Sequence, residues 1–494
     1  MILSILNKYK TFFIVFFIWG CITLLRIFNH IPWCDEAHAW TIAEELNIID
    51  IFKLMHQEGH LFIWYLCLLL FAKFNVLYPY SMQIINWIFC ASALIILWLK
   101  SPFNNWIKSF ITFSFPFLFT YSVIARCYSI GILFLFLLTI HFKDKVKRPL
   151  LYSVLLIITA NTSVMALFGA TAFGVLFLYD FIKSKPEKTL ILKTSIILLL
   201  GAVTVLLQIG GAGQEGGYHL STNFLNNWLF YAGFAFLACF LFLIRSQLRI
   251  VFFVISTTSL LAYCFMFVYQ GHFIHHFFYY IYFIIASWLY FDLSDNNNKS
   301  KLLTCFVAII SCFLCFYPLF MQKEDRTKFL EILYLQNMSG ISETEVIKTL
   351  LNDNNFKGNN VIVADSNMSF IFSMLPYQKT MHKKLVSYCN GNYFDHTFYI
   401  TYLTDASNKY CKINQESKHK KYFTVNFSYE HLGELIEKYG DSLAYGLPDI
   451  KNLTGGIDLD EVYFQLSGQM YSIKKYKCFT NGLSCIYLVG KPTN

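Results

Sequence analysis

From about residue 11 to residue 320, long apolar runs alternate with short polar connections. The runs lie at about 11–28, 81–99, 109–124, 128–142, 150–160, 164–182, 191–210, 226–244, 250–269, 274–291 and 302–320. A further run, 61–76, is ambiguous from its apolar pattern alone. Apolar stretches of about 18 residues predict helices that cross a bilayer, because in hydrocarbon each backbone N–H and C=O must be satisfied within its own segment. The opening run follows Lys8 and Lys10, holds Trp19 and lacks a small-x-small site, so it reads as an uncleaved anchor.

After about residue 321 the pattern changes: charged residues become frequent and long apolar runs stop. The remaining 173 or so residues suffice for one soluble domain. The capping-box sequence 342–345 predicts a helix to about 351, and 361–364 reads as a buried strand ending at Asp365. Residues 428–439 look helical, and 471–489 read as a hairpin around Asn481-Gly482. That turn would set Cys478 opposite Cys485, as a bridge or as an unbridged strand pair. The expected domains are therefore a membrane domain, 1–321, with a first loop at 29–60, and a small α/β domain, 322–494.

Composition agrees: 56% of residues are apolar, only 14% are charged, and the mean hydropathy is +0.48, whereas soluble domains carry roughly 25% charged residues. Disorder, a coiled coil and an ordinary soluble enzyme are excluded. The net charge of +9 comes from Lys and Arg spread between apolar runs, without a groove-reading or stacking module, so no nucleic acid partner is expected. The 52 Phe and 32 Tyr read as lipid-facing and core filler. The 14 Cys have no zinc spacing, and ten lie in the apolar portion, where a free thiol is a small hydrophobe.

The basic residues also decide the status of 61–76. If that run does not fully cross, the connections holding Lys100 and Lys108, Lys143 to Arg148, Lys183 to Lys193, Arg245 and Arg249, and Lys299 and Lys301 share a side with Lys8 and Lys10. The positive-inside rule makes that side the cytoplasm. The expectation is a mainly α polytopic transmembrane bundle: eleven crossings, juxtamembrane helices, a half-inserted helix at 61–76, the N-terminus cytoplasmic and the C-terminal domain extracytoplasmic, in what reads as a bacterial plasma membrane.

With that orientation the unusual polar residues gather outside. Asp35 and Glu36 lie just past the first crossing, at the start of an expected amphipathic helix, 36–55, with Ala39, Trp40, Ala43, Leu46 and Ile49 along one side. Asp35 sits where an N-cap belongs, and the helix dipole would keep it ionised. The plain alternative is a helix cap beside aromatic-belt tryptophans. Glu58 and His60 stand at the entrance of the half-inserted helix. Arg126, two residues before Tyr128, is the single charge in about 34 residues; an arginine at membrane depth faces a partner or a wet cavity, and its fork of donors suits phosphate. The Gly-rich 210–217 lacks P-loop spacing and reads as a flap rather than a nucleotide site. His272, His275 and His276 stand at another helix entrance, suited to an anion or sugar, or to a metal.

The acidic pair Asp35-Glu36, the Glu58-Gly59-His60 entrance, Arg126-x-Tyr128 and Gly271-His272 with His275-His276 together resemble the GT-C superfamily of membrane glycosyltransferases over about residues 10–320. The chain departs from many members at Leu61-Phe62, where they have Pro-Pro, and around Arg126-Cys127-Tyr128, where they carry another outer acid. The resemblance implies a polyprenyl-phosphate-linked sugar as donor, a glycan, lipid or protein acceptor on the outer face, and no nucleotide cofactor. Asp35 is then the base toward the acceptor hydroxyl, with Glu36 positioning the acceptor or a metal. Arg126, His275 and His276, or a divalent cation such as Mg or Mn, would meet the charge developing on the lipid phosphate, beside Tyr128, His60, Glu58 and His272. Two other classes stay open: a transporter or flippase for a lipid-linked glycan, though no repeat is evident, and a catalytically dead scaffold.

Overall fold

In the computed structural model the described residues are 10–30, 32, 34–58, 60–74, 77–209, 237–268, 273–293 and 297–317. In the tail they are 360–363, 384–389, 392–394, 436–437, 442–445, 461–466, 468–478 and 485–491. They divide into two compact units. One comprises Met1–His30, Ile51–Phe71 and Tyr80–Leu330; the other comprises Ile31–Asp50, Ala72–Pro79 and Glu331–Asn494. The acid pair thus belongs to the unit that includes the tail.

The first unit is helical: α1 (Lys10–Asn29), then α3 (Ile48–Glu58) and α4 (Phe62–Ala72), which reach beyond it at one end, α5 (Tyr80–Lys100), α6 (Asn105–Phe113), α7 (Tyr128–His141), α8 (Pro149–Ala160), α9 (Val164–Lys183) and α10 (Lys188–Ile209). There follow α11 (237–244), α12 (Leu248–Tyr263), the single turn α13 (Phe273–His276), α14 (Phe278–Leu293) and α15 (Asn297–Cys315). Among the described residues five helices are long and apolar enough to cross a membrane: α1, α5, α9, α10 and α12 with its π-helical extension Cys264–Val268. The protein is therefore a mainly helical, membrane-embedded chain. Their outward faces suit lipid, since Phe13, Phe17 and Leu25 on α1 and Leu192, Leu199, Leu200 and Leu206 on α10 are all exposed.

α1 and α5 run antiparallel along an aromatic seam. Phe12 meets Trp98 at 5.6 Å, Trp19 stacks on Trp87 at 5.5 Å, and Phe28 meets Tyr80 at 5.7 Å. Gln83 Nε2 donates to the carbonyl of His30 at 2.9 Å. The chain therefore leaves α1 and enters α5 at the same end. α4 has 11 residues, a rise of about 16 Å, shorter than the roughly 30 Å core of a bilayer.

The basic connections share one end. Asp180, near the end of α9, takes Lys145 Nζ and Arg249 Nη2, each at 2.8 Å. Phe103 meets Phe291 edge-on at 5.8 Å, and Gln247 Nε2 reaches the carbonyl of Leu293. Such common-sidedness is what the charge pattern predicts.

The expected continuous run 109–124 is broken. Asn104 caps α6, accepting from Ile107 N–H at 3.0 Å; Ser114 is extended and ends it, and a π turn, Pro116–Thr120, follows. Proline at 116 lacks the N–H to continue the ladder and clashes with the preceding turn. Trp19 Nε1 donates to the freed carbonyl of Phe117 at 3.0 Å, and Tyr121 to Arg126 follow as buried, non-helical chain.

In the second unit, the expected single helix 36–55 is two: α2 (Cys34–Glu45) and α3, which extends back into the first unit. Asn47 separates them, its side chain accepting from the N–H groups of Ile49 and Asp50 at 3.0 and 3.1 Å. The break resets the helical phase. Ala39, Trp40, Ala43 and Leu46 are buried as expected, but Ile49 is 63% exposed. Trp40 packs against Tyr78 at 5.4 Å.

The tail strands form a seven-stranded mixed sheet, ordered β3-β2-β1-β4-β7-β6-β5. They are β1 (Asn360–Val363), β2 (Lys384–Cys389), β3 (Asn392–Phe394), β4 (Ser442–Tyr445), β5 (Glu461–Leu466), β6 (Gln469–Cys478) and β7 (Cys485–Gly490). β1 lies parallel to β2 and β4; the other pairings are antiparallel. β1 matches the expected strand, and β6 with β7 the expected hairpin, with Cys478 opposite Cys485. The β5–β6 hairpin turns at Gly468, where φ is +84° and a Cβ would be strained. The expected helix 342–351 and most of 428–439 lie outside the described residues.

Candidate functional site

At the end of the first unit away from the basic connections, broken and re-entrant chain gathers side chains that continuous helices would have spaced apart. Arg126 follows the π turn and is only 4% exposed. Its guanidinium meets Nε2 of His60, just before α4. A guanidinium only donates, so the imidazole accepts through Nε2. Two residues on, Tyr128 OH lies 2.6 Å from Nε2 of His275, with the rings edge-on at 5.3 Å. Tyr121 OH donates to the carbonyl of Ile274 at 2.9 Å, and the carbonyl of Tyr121 accepts from Asn86 Nδ2 and Ser129 Oγ. The loop 121–128 is thereby pinned to α5, α7 and α13 together.

Four residues singled out by sequence thus form two contacting pairs, Arg126 with His60 and Tyr128 with His275. The histidines do not act as one group: His275 is buried against Tyr128, whereas His276 is exposed, its ring 4.4 Å from that of Phe265. Glu58 is the half-buried last residue of α3. His272 and the Gly-rich stretch 210–217 lie outside the described residues.

In the second unit, α2 begins one residue before Asp35, so Asp35 is in the first turn rather than at the expected cap. Asp35 is exposed and Glu36 fully buried.

Sequence reasoning passed over three polar residues in, or at the end of, apolar runs. Arg26 on α1 is buried, its guanidinium 4.4 Å from the ring centroid of Phe119. Asn161 and Gln208 join across α8 and α10, Gln208 Nε2 donating to Asn161 Oδ1 at 2.8 Å. The signal was present: an amide or guanidinium inside a spanning run is costly to bury and takes specific partners.

Among the described residues no three His, Cys, Asp or Glu side chains converge as metal ligands, and the guanidinium against His60 repels a cation there. No protein-family profile matches the chain, and neither a curated protein nor a solved structure is similar enough to count as a match.

Proposed function

We propose that the chain is an inverting membrane glycosyltransferase. It moves a sugar from a polyprenyl-phosphate donor to an acceptor hydroxyl on a glycan, lipid or protein at the extracytoplasmic face. The N-terminus is cytoplasmic, the chain makes eleven crossings of a bacterial plasma membrane, and the tail unit lies outside.

The observation that carries this reading is the buried Arg126, with His60 on its guanidinium and the Tyr128–His275 pair beside it in sequence. A desolvated guanidinium at membrane depth suits the phosphate of a lipid carrier, because the lower dielectric strengthens its attraction for a developing oxyanion. Asp35, exposed in the first turn of α2, takes the proton from the acceptor hydroxyl, whose oxygen forms the new bond to the anomeric carbon. The bond from that carbon to the phosphate oxygen breaks, and its electron pair leaves with polyprenyl phosphate, stabilised by Arg126. A single displacement inverts the anomeric centre. Phosphate is a good leaving group, so a carboxylate suffices as base, and no nucleotide site is required.

Full-length protein in nanodiscs is assayed for release of polyprenyl phosphate from a radiolabelled polyprenyl-phosphate sugar. Arg126→Gln should slow release by about 10²–10³-fold, the scale of losing one preorganised oxyanion donor. Unchanged release would remove Arg126 from the chemistry. Movement of donor across vesicles without glycoside formation would favour the transporter instead.

A further inference from the structure

α4 begins without a cap of its own. Leu61 precedes its first residue and cannot accept a hydrogen bond through its side chain. The first N–H groups of a helix have no intrahelical acceptor, and burying them bare among apolar helices is costly. Here acceptors come from elsewhere in the fold. Phe62 N–H donates to Gln208 Oε1 at 2.7 Å, and Ile63 N–H donates to the carbonyl of Asn161 at 3.2 Å.

Both amides have partners on oxygen and on nitrogen. Gln208 Nε2 donates to Asn161 Oδ1 and to the carbonyl of Thr204, both at 2.8 Å. Asn161 Nδ2 donates to the carbonyl of Ile157 at 2.9 Å. Gln208 is 1% exposed and Asn161 6%. A buried hydrogen-bonded network of this kind favours one geometry over several, and it fixes where α4 starts. His60 stands two residues before the clasped N–H of Phe62, and its Nε2 meets Arg126.

We propose that Gln208 and Asn161 are positioning residues for the lipid-phosphate site. They clasp the start of α4 and so hold His60 against Arg126. The proposal rests on the phosphate reading of Arg126.

The test measures binding of radiolabelled polyprenyl phosphate to full-length protein in nanodiscs, for Gln208→Met, His60→Ala, their double variant and Arg126→Gln. Methionine keeps the length and bulk of Gln208 but offers Phe62 N–H no oxygen. Gln208→Met and His60→Ala should each weaken binding about tenfold, the scale of misplacing one hydrogen bond to a charged group. The double variant should be no weaker than His60→Ala alone, because the clasp acts through His60.

If Gln208→Met does not fold, Asn161→Ala replaces it in the same cycle, with an expected loss of about threefold. Losses that multiply in the double variant, or a Gln208 variant that binds normally while Arg126→Gln does not, overturn the clasp alone. Normal binding by Arg126→Gln overturns the phosphate reading and the clasp's role with it.

Discussion

Asp180→Ala tests the tie that gathers the basic connections at one end. Lys145 Nζ and Asp180 Oδ2 lie 2.8 Å apart with side-chain exposures of 5% and 11%, and Arg249 meets the other carboxylate oxygen from a half-exposed position. Removing one partner of a buried pair costs about 3–5 kcal/mol, because the other charge is left uncompensated. Two contacts remain to Lys145: the carbonyl of Phe142 at 3.1 Å and the ring of Phe142, with Nζ 3.8 Å from its centroid. The ring contact retains about 1 kcal/mol, and the solvent-screened Arg249 limb adds less than about 1. The expected loss is therefore about 2–5 kcal/mol, read from reversible unfolding in mixed micelles.

The pH dependence of that loss has a definite sign. Burial pushes the Lys145 ammonium below its ordinary value, and Asp180 opposes the shift. In Asp180→Ala the folded-state value falls further. A lysine whose folded value is depressed costs stability while it is charged in both states, and the cost fades as pH rises through the folded value toward the ordinary one. The penalty of Asp180→Ala should therefore be smaller near about pH 10 than near about pH 7. The double variant Lys145→Met with Asp180→Leu should recover to within about 1 kcal/mol of the unaltered protein. A loss below about 0.5 kcal/mol for Asp180→Ala, or a double variant as unstable as the single one, would refute the reasoning.

Helix packing makes a second prediction. A Cβ at Gly169 would lie 2.6 Å from Leu135 Cδ2 and 2.7 Å from Tyr282 Cε1, on a ring whose hydroxyl accepts from Gly169 N–H at 2.8 Å. Gly169→Ala should cost about 1–3 kcal/mol in the same unfolding measurement, whereas Gly174→Ala, whose Cβ meets only Leu156 Cδ2 at 4.0 Å, should be neutral. Thiol labelling of spheroplasts with an impermeant reagent checks the orientation: Asn104→Cys should react only after permeabilisation and Gln214→Cys without it, and the reverse pattern would invert the topology.

The sequence pattern located α7, α8 and α9 to within a residue or so, because uninterrupted apolar runs with polar ends leave little freedom of register. It failed where one residue overrides a period. Pro116 and Ser114 break the run 109–124, and the capping side chain of Asn47 splits the expected helix 36–55 and turns Ile49 outward. The same local exceptions build the site, since Arg126 meets His60 through a loop that follows the π turn and the chain just before the short helix α4. Arg126 itself was legible as a lone charge in an apolar stretch. The clasp was not, because Gln208 and Asn161 are 47 residues apart and meet only when α8 and α10 pack. The order of the tail sheet was equally hidden, since β4 lies between β1 and β7 through pairings distant in sequence.

The most direct measurement of the glycosyl-transfer claim incubates purified full-length protein with a radiolabelled polyprenyl-phosphate sugar and an envelope glycan extract, then follows the label into glycoside and determines its anomeric configuration. Transfer with inversion, reduced about 10²–10⁴-fold in Asp35→Asn while donor binding persists, is the predicted result. Retention of configuration, or transfer at an unchanged rate in Asp35→Asn, would contradict it.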